Sequence, residues 1–225
     1  MIFHTASKKE RGRGEVGTIT KEDIFHYVYA VLHNPAYRKK YELNLKREFP
    51  RIPLYKDFWQ WAKWGKLLMD IHINYEDATA YPLKVIAIPT SREKQSNKEQ
   101  ITSSRSIGIR NDNGKKPEEN NEHQPKIKVK LRADKTAGTI EIDELTLIKD
   151  VPKEAWEYKL GNRSAIEWIL DQYKEKKPSD PTIAEKFNTY KFADYKEHVI
   201  ELIKKVTTVS VETIKIIKEM EGVKN

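Results

Sequence analysis

From Thr20 onward, apolar and polar positions follow the period of a helix. Ile24, Tyr27, Val28, Val31 and Leu32 form one stripe, which has to be buried. Thr20 supplies an N-cap oxygen, and Glu22 and Asp23 place negative charge in the first turn, where the helix dipole favours it. Asn34-Pro35 ends this helix, because the residue before a proline is pushed out of the α region. Pro35 then suits the first turn of a second helix, with Tyr37, Tyr41 and Leu45 inward and Arg38, Lys39, Lys40, Lys46 and Arg47 in water. The two prolines of Phe49-Pro-Arg-Ile-Pro53 forbid regular helix and predict an extended link. A third helix begins near Tyr55; Phe58, Trp61, Ala62, Leu68, Met69 and His72 outline it, and it carries Trp59, Trp61 and Trp64.

The middle of the chain changes period. Tyr81 to Ile88 reads as a strand with Leu83, Val85 and Ile86 apolar. Pro89 then opens a polar stretch through Gln124 in which only Ser106-Ile-Gly-Ile-Arg110 resembles a strand. Lys126-Ile-Lys-Val-Lys-Leu-Arg132 alternates with period two. It predicts Ile127, Val129 and Leu131 facing a core and a row of Lys126, Lys128, Lys130 and Arg132 outside. That row fits DNA phosphates, and it equally fits an edge strand guarded by lysines against aggregation. Gly138 to Asp143 alternates apolar with acidic residues, so Glu141 and Asp143 could neutralise the row across a hairpin. Leu145 to Ile148 adds another strand, and the short connections predict an antiparallel sheet.

Helical spacing returns after Val151-Pro152, with a short turn holding Trp156. Gly161-Asn-Arg-Ser164 leads into a helix with Ile166, Ile169, Leu170 and Tyr173 on one side. Ser164 and Glu167 have capping-box spacing, although the helix could equally start at Asn162; the same turn could offer amides and Arg163 to a phosphate. Tyr195, Val199, Leu202, Ile203 and Val206 outline a penultimate helix, and Ser210 begins a last one carrying Ile214, Ile217 and Met220. The class these elements imply is α+β, with N- and C-terminal helical layers around a small, mainly antiparallel sheet. The expected layout is a flexible basic segment over 1–19, a helical part over 20–80, a β-rich part over 81–151 with a long polar loop at 89–124, and a helical part over 152–225.

Composition adds a direction. The 42 Lys and Arg exceed the 34 Asp and Glu, for a formal charge of +8, which suits polyanions as well as a plain charged surface. Arg11 and Arg13, set among glycines, could lie against phosphates or simply fray. The absence of cysteine excludes disulfides, thiolate metal sites and cysteine nucleophiles. Apolar runs too short for a bilayer and a start without a signal-peptide core point to the cytoplasm.

Two stretches carry a resemblance. Asp23 to Arg38, followed by Phe49-Pro-Arg-Ile-Pro53, and Trp156-Glu-Tyr-Lys-Leu-Gly-Asn-Arg-Ser-Ala-Ile-Glu-Trp-Ile-Leu-Asp-Gln-Tyr173 resemble the C-terminal specificity region of type ISP restriction-modification enzymes and related adenine-specific DNA methyltransferases. The resemblance covers most of the chain outside roughly 88–124. It implies a target-recognition domain that grips duplex DNA beside a methyltransferase domain, with helicase-nuclease domains as further partners. S-adenosylmethionine would belong to the methyltransferase part, and this chain would hold no cofactor.

The chain's own chemistry agrees with a recognition role. It has no strand-linked glycine loop for a methyl donor, no polar-Pro-Pro-aromatic segment to grip a flipped base, no phosphate-binding Gly-Lys-Ser/Thr loop and no nucleophile elbow. His26 and His33 stand seven apart without a carboxylate at metal-ligand spacing, so no metal site is expected. Lys126, Lys128, Lys130 and Arg132 are the backbone-contact candidates, with Arg163, Arg11 and Arg13 beside them. Arg105, Arg110, Asn111 and Asn113 are base-contact candidates, because arginine pairs with guanine edges and asparagine with adenine edges. The alternative is an interaction module whose aromatic helices dock on a methyltransferase or helicase domain without touching DNA; exposure of Trp59 or Trp64 would favour it.

Overall fold

The computed structural model describes residues 18–89, 127–176, 180–181 and 190–222. The chain divides into two compact units, one formed by 1–73 with 216–225 and the other by 74–215.

The first unit is helical. Helix α1 (Lys21–His33) starts where the sequence predicts: Thr20 Oγ1 accepts from the Asp23 amide at 3.2 Å, and Thr20 N donates to Asp23 Oδ2 at 3.0 Å, closing a capping box. Asn34 Oδ1 likewise accepts from Tyr37 N and caps α2 (Pro35–Lys40). The expected second helix is split at Tyr41, and α3 (Glu42–Leu45) follows. Tyr37 is buried, with Tyr41 and Leu45 packed against the same core.

The extended link is held by two tyrosine hydroxyls. Tyr27 Oη donates to the Pro53 carbonyl and accepts from Tyr55 N, both at 2.7 Å, while Tyr37 Oη donates to the Arg51 carbonyl at 3.0 Å. Helix α4 (Phe58–Ile73) therefore begins three residues later than Tyr55, with Asp57 Oδ1 accepting from Gln60 N.

The buried stripe of α1 is Tyr27, Ala30 and Val31. Ile24 is 51% exposed and Phe25 58%, which corrects the inward placement of Ile24. Gly65 of α4 stands against the backbone of α1 at the His26 carbonyl and the Ala30 amide, so α1 presents the face that carries Ala30 to α4. Trp61, Trp64, Leu68, Ile216 and Met220 complete this core, and Trp64 Nε1 donates to Glu219 Oε2.

Tyr29, His33 and His72 form a half-buried cluster beside it. The Tyr29 hydroxyl lies 2.7 Å from His72 Nδ1, and His33 Nδ1 donates to the Tyr29 carbonyl at 2.8 Å. Burial pushes His72 down to about 4, with the neighbouring His33 adding to the shift, and burial also lowers His33. Both imidazoles are thus neutral in the fold but take protons below about pH 6.5 once unfolded. Stability should be intact above that pH and fall as the pH drops towards 4, by roughly 2 kcal/mol for His72 after allowing for its partial solvent access. Urea unfolding at pH 7 and pH 4.5 checks this: the midpoint should drop, and by clearly less in His72→Phe.

In the second unit, four of the described strands form one antiparallel sheet in the order β1-β4-β3-β2: β1 (Lys84–Ala87), β2 (Val129–Asp134), β3 (Thr139–Asp143) and β4 (Thr146–Lys149). The α+β class and the small mid-chain antiparallel sheet agree with the sequence pattern. Among the described strands β1 lies at one end of the order, and its Val85 and Ile86 are exposed. Strand β2 departs from its expected alternation. A bulge lies between Val129 and Arg132, and Leu131 takes φ 42°. Leu131 is still fully buried, whereas Ile127, expected inside, is 47% exposed.

Helix α5 (Lys153–Glu157) buries Trp156. The two-residue strands β5 (Lys159–Leu160) and β6 (Arg163–Ser164) then form a hairpin leading into α6 (Ala165–Gln172). The predicted capping box is present: Ser164 N donates to Glu167 Oε2 at 2.8 Å, and Glu167 N donates back to Ser164 Oγ. The last element is one helix, α7 (Lys196–Glu221), and not two. Ser210 does not cap. Its hydroxyl donates to the Val206 carbonyl, and Thr207 donates to the Ile203 carbonyl, both at 2.7 Å, so these hydroxyls are satisfied without breaking the helix. No described helix is long and apolar enough to cross a membrane.

Candidate nucleic-acid interface

The second unit contains an open cleft of about 390 Å³ lined by Leu131, Arg132, Ala133, Arg163, Glu167, Leu170, Asp171 and Lys174. Its floor is apolar because Leu131 and Leu170 are core residues of β2 and α6. Its walls are charged. The bulge in β2 leaves Arg132 exposed, and the β5–β6 hairpin delivers Arg163 from the other side.

The cations around this cleft differ in what holds them. Arg163 Nη1 lies 3.0 Å from Asp171 Oδ2, and its guanidinium sits over the Trp168 ring at 5.3 Å. Trp168 is 45% exposed, and its Nε1 donates to the Leu160 carbonyl at 2.8 Å, which fixes the ring against the hairpin. Lys174 and Lys176 also converge on Asp171, at 3.7 and 3.9 Å. The Arg163 hydrogen bond, with both lysines adding, holds the Asp171 carboxyl below the usual range. Lys135 pairs with Glu167 at 2.9 Å. Burial works against the charge on Glu167, yet hydrogen bonds from Ser164 and Lys135 outweigh it and keep its carboxyl low. Among the described residues, Arg132, Arg163 and Lys174 line the cleft together with Glu167 and Asp171, and Lys135 and Lys176 pair with those two carboxylates.

Of the basic row read from the sequence, Lys130 lies 3.4 Å from Glu141 across the hairpin. Asp143 does not neutralise the row; it is buried and takes Lys196 of α7 at 2.8 Å. Lys128 and Arg132 are exposed and make no ion pair among the described residues. The structure therefore brings Arg132 together with Arg163 and separates both from Lys128 and Lys130, which do not line the cleft. Lys126, Arg105, Arg110, Asn111, Asn113, Arg11 and Arg13 lie outside the described residues. Among the described residues no group of three or more His, Asp or Glu is placed to hold a metal ion.

Sequence reasoning missed Asp171, Lys174, Lys176, Lys135 and Trp168. The i,i+3 spacing of Asp171 and Lys174 was a visible signal, but their convergence with Arg163 depends on the hairpin folding back on α6.

The family described as "Type ISP C-terminal specificity domain" matches residues 3–202. The chain belongs to that family. No curated protein matches it. Among solved structures, the chain is 46% identical to part of DrdV, solved as a DNA complex, covering 92% of this chain and 18% of that one, with TM-score 0.71. It is 30% identical to part of the type ISP restriction-modification enzyme LlaGI, solved with a DNA substrate mimic (89% of this chain, 14% of that one, TM-score 0.56). It is 27% identical to part of the ATP-dependent type ISP enzyme LlaBIII bound to DNA (90% and 11%, TM-score 0.60). This type ISP specificity domain thus spans less than a fifth of each of those chains.

Proposed function

We propose that this chain is the target-recognition part of a restriction-modification system that methylates adenine, and that its second unit grips duplex DNA through the cleft between β2 and α6. The observation that carries the reading is the placing of Arg132, Arg163 and Lys174 around one open cleft, in a domain whose relatives DrdV, LlaGI and LlaBIII were solved with DNA or a DNA mimic. Arginine and lysine supply the phosphate contacts that give affinity and salt dependence; base-edge contacts supply sequence discrimination. Arg105, Arg110, Asn111 and Asn113 keep the base-contact role on residue type, and Lys126, Lys128 and Lys130 a backbone-contact role. The methyl donor S-adenosylmethionine belongs with a separate methyltransferase part, and helicase-nuclease domains complete the partners.

Titration of the 225-residue chain with a pool of random-sequence duplexes, followed by sequencing of the retained DNA, tests recognition directly. Enrichment of a short motif is expected. Arg132→Gln together with Lys174→Gln should weaken binding about tenfold near 0.1 M salt and reduce the log–log salt slope by about two. Unchanged affinity and slope in that double variant would remove the cleft from the DNA surface.

A docking role draws on one observation of its own: Trp59 is 46% exposed on α4, although Trp64 is buried. Retention of no DNA at all by the chain, with binding to an isolated methyltransferase domain that Trp59→Ser abolishes, would favour it.

A further inference from the structure

The salt bridges around the cleft are unequal in purpose. Glu167 is needed by the fold. Its carboxylate accepts from both the amide and the hydroxyl of Ser164, closing the N-cap of α6. Asp171 has no such duty: its partners among the described residues are Arg163, Lys174 and Lys176. It also sits in the last turn of α6, where the helix dipole disfavours negative charge. Exposed ion pairs of this kind add little stability. What the carboxylate does is gather three cations from a hairpin, a helix end and the segment after it around one pair of oxygens.

That arrangement is the one a phosphate would need. A carboxylate with three cations within 4 Å occupies the place where an anionic oxygen pair would bind, and Trp168 holds the Arg163 guanidinium over its ring. Resting on the cleft being the DNA surface, we propose that Asp171 is a resident phosphate surrogate that sets discrimination: it keeps the cations preassembled and makes any incoming phosphate displace it. A random duplex offers phosphates alone and is held weakly. A target site adds base contacts that outweigh the displacement. The residue therefore acts on specificity by weakening sequence-independent binding, and it is a positioning residue for the three cations.

The experiment is a fluorescence-anisotropy titration of a labelled random-sequence 30-base-pair duplex across a range of salt, using the full chain as wild type, Asp171→Asn, Asp171→Ser, Glu212→Gln and Arg132→Gln. Glu212 pairs with Lys215 on α7 and does not line the cleft, so its variant reports the effect of net charge alone. Both Asp171 variants should bind the random duplex about three- to tenfold more tightly at low salt, with a steeper salt slope that converges on wild type at high salt. Their thermal unfolding should stay close to wild type, and Glu212→Gln should not reproduce the tightening. Unchanged or weaker binding in the Asp171 variants, or equal tightening in Glu212→Gln, overturns the proposal. If Arg132→Gln weakens binding while the Asp171 variants match wild type, the surrogate role alone falls. If neither Arg132→Gln nor the Asp171 variants alter binding, the cleft itself is not the DNA surface and both readings fall.

Discussion

Gly65→Ala is expected to destabilise the helical unit by about 2 kcal/mol or more, against the direction that helix propensity alone would give. In the interior of an isolated helix, alanine is better than glycine by about 1 kcal/mol. A Cβ at position 65, however, would stand 1.7 Å from the His26 carbonyl oxygen and 2.5 Å from its carbon. Those atoms are backbone of α1, so no side-chain rotation relieves the overlap, and α1 and α4 must move apart. Separation loosens the packing of Ala30, Val31, Trp61 and Leu68 at once, and forced overpacking of this kind costs about 1–3 kcal/mol or more before any compensation. Chemical denaturation followed by tryptophan fluorescence reads the result, since Trp61 and Trp64 are buried in this core. A variant as stable as wild type would mean the helix crossing is far softer than its geometry implies.

The second large effect concerns Lys196→Met, expected to cost the second unit about 2–4 kcal/mol. Asp143 has a side chain only 4% exposed, and Lys196 of α7 supplies its charge partner at 2.8 Å. Burial alone would raise this carboxyl, but hydrogen bonds from Lys196, the Leu145 amide and Thr146 hold it below the usual range. Removing the lysine leaves a buried carboxylate with its neutral donors only, and such an orphaned charge is worth several times an exposed pair. The lost contact also ties the β3–β4 turn to the start of α7. Asp143→Asn in the Lys196→Met background removes the orphaned charge while keeping an acceptor for Leu145 N, so it should recover about 1 kcal/mol or more. A double variant no more stable than Lys196→Met would show that packing of the lysine stem, and not the charge, is what matters.

Within the second unit, Asp143 and Asp171 bear on the cleft differently. The Asp143–Lys196 pair holds the sheet that carries Arg132, so its loss should reduce DNA binding only as far as the unit unfolds. Asp171 should do the opposite, altering binding with little change in stability. The contrast separates residues that build the scaffold from residues that tune it.

The local elements were legible in the sequence because the physics that sets them is local. Thr20, and Ser164 with Glu167, cap their helices using atoms within three residues, and both caps stand in the structure; the Asn34 cap on the Pro35 helix is equally local but was not read from the sequence. The alternating segments became antiparallel strands, and the two stretches that carry the type ISP resemblance lie within the family match. Tertiary structure decided the rest. Ile24 lost its place in the core to Ala30 because Gly65, far along the chain, lets a backbone approach. Ser210 looked like a helix start, yet its hydroxyl is satisfied by Val206 inside a continuous helix. The basic row of β2 was divided by a bulge, which gave Lys130 to Glu141 and Arg132 to the cleft. Arg132, Arg163 and Asp171 meet only because a bulged strand and a hairpin converge on one helix, and no spacing along the chain encodes a distance between elements that the fold alone brings together.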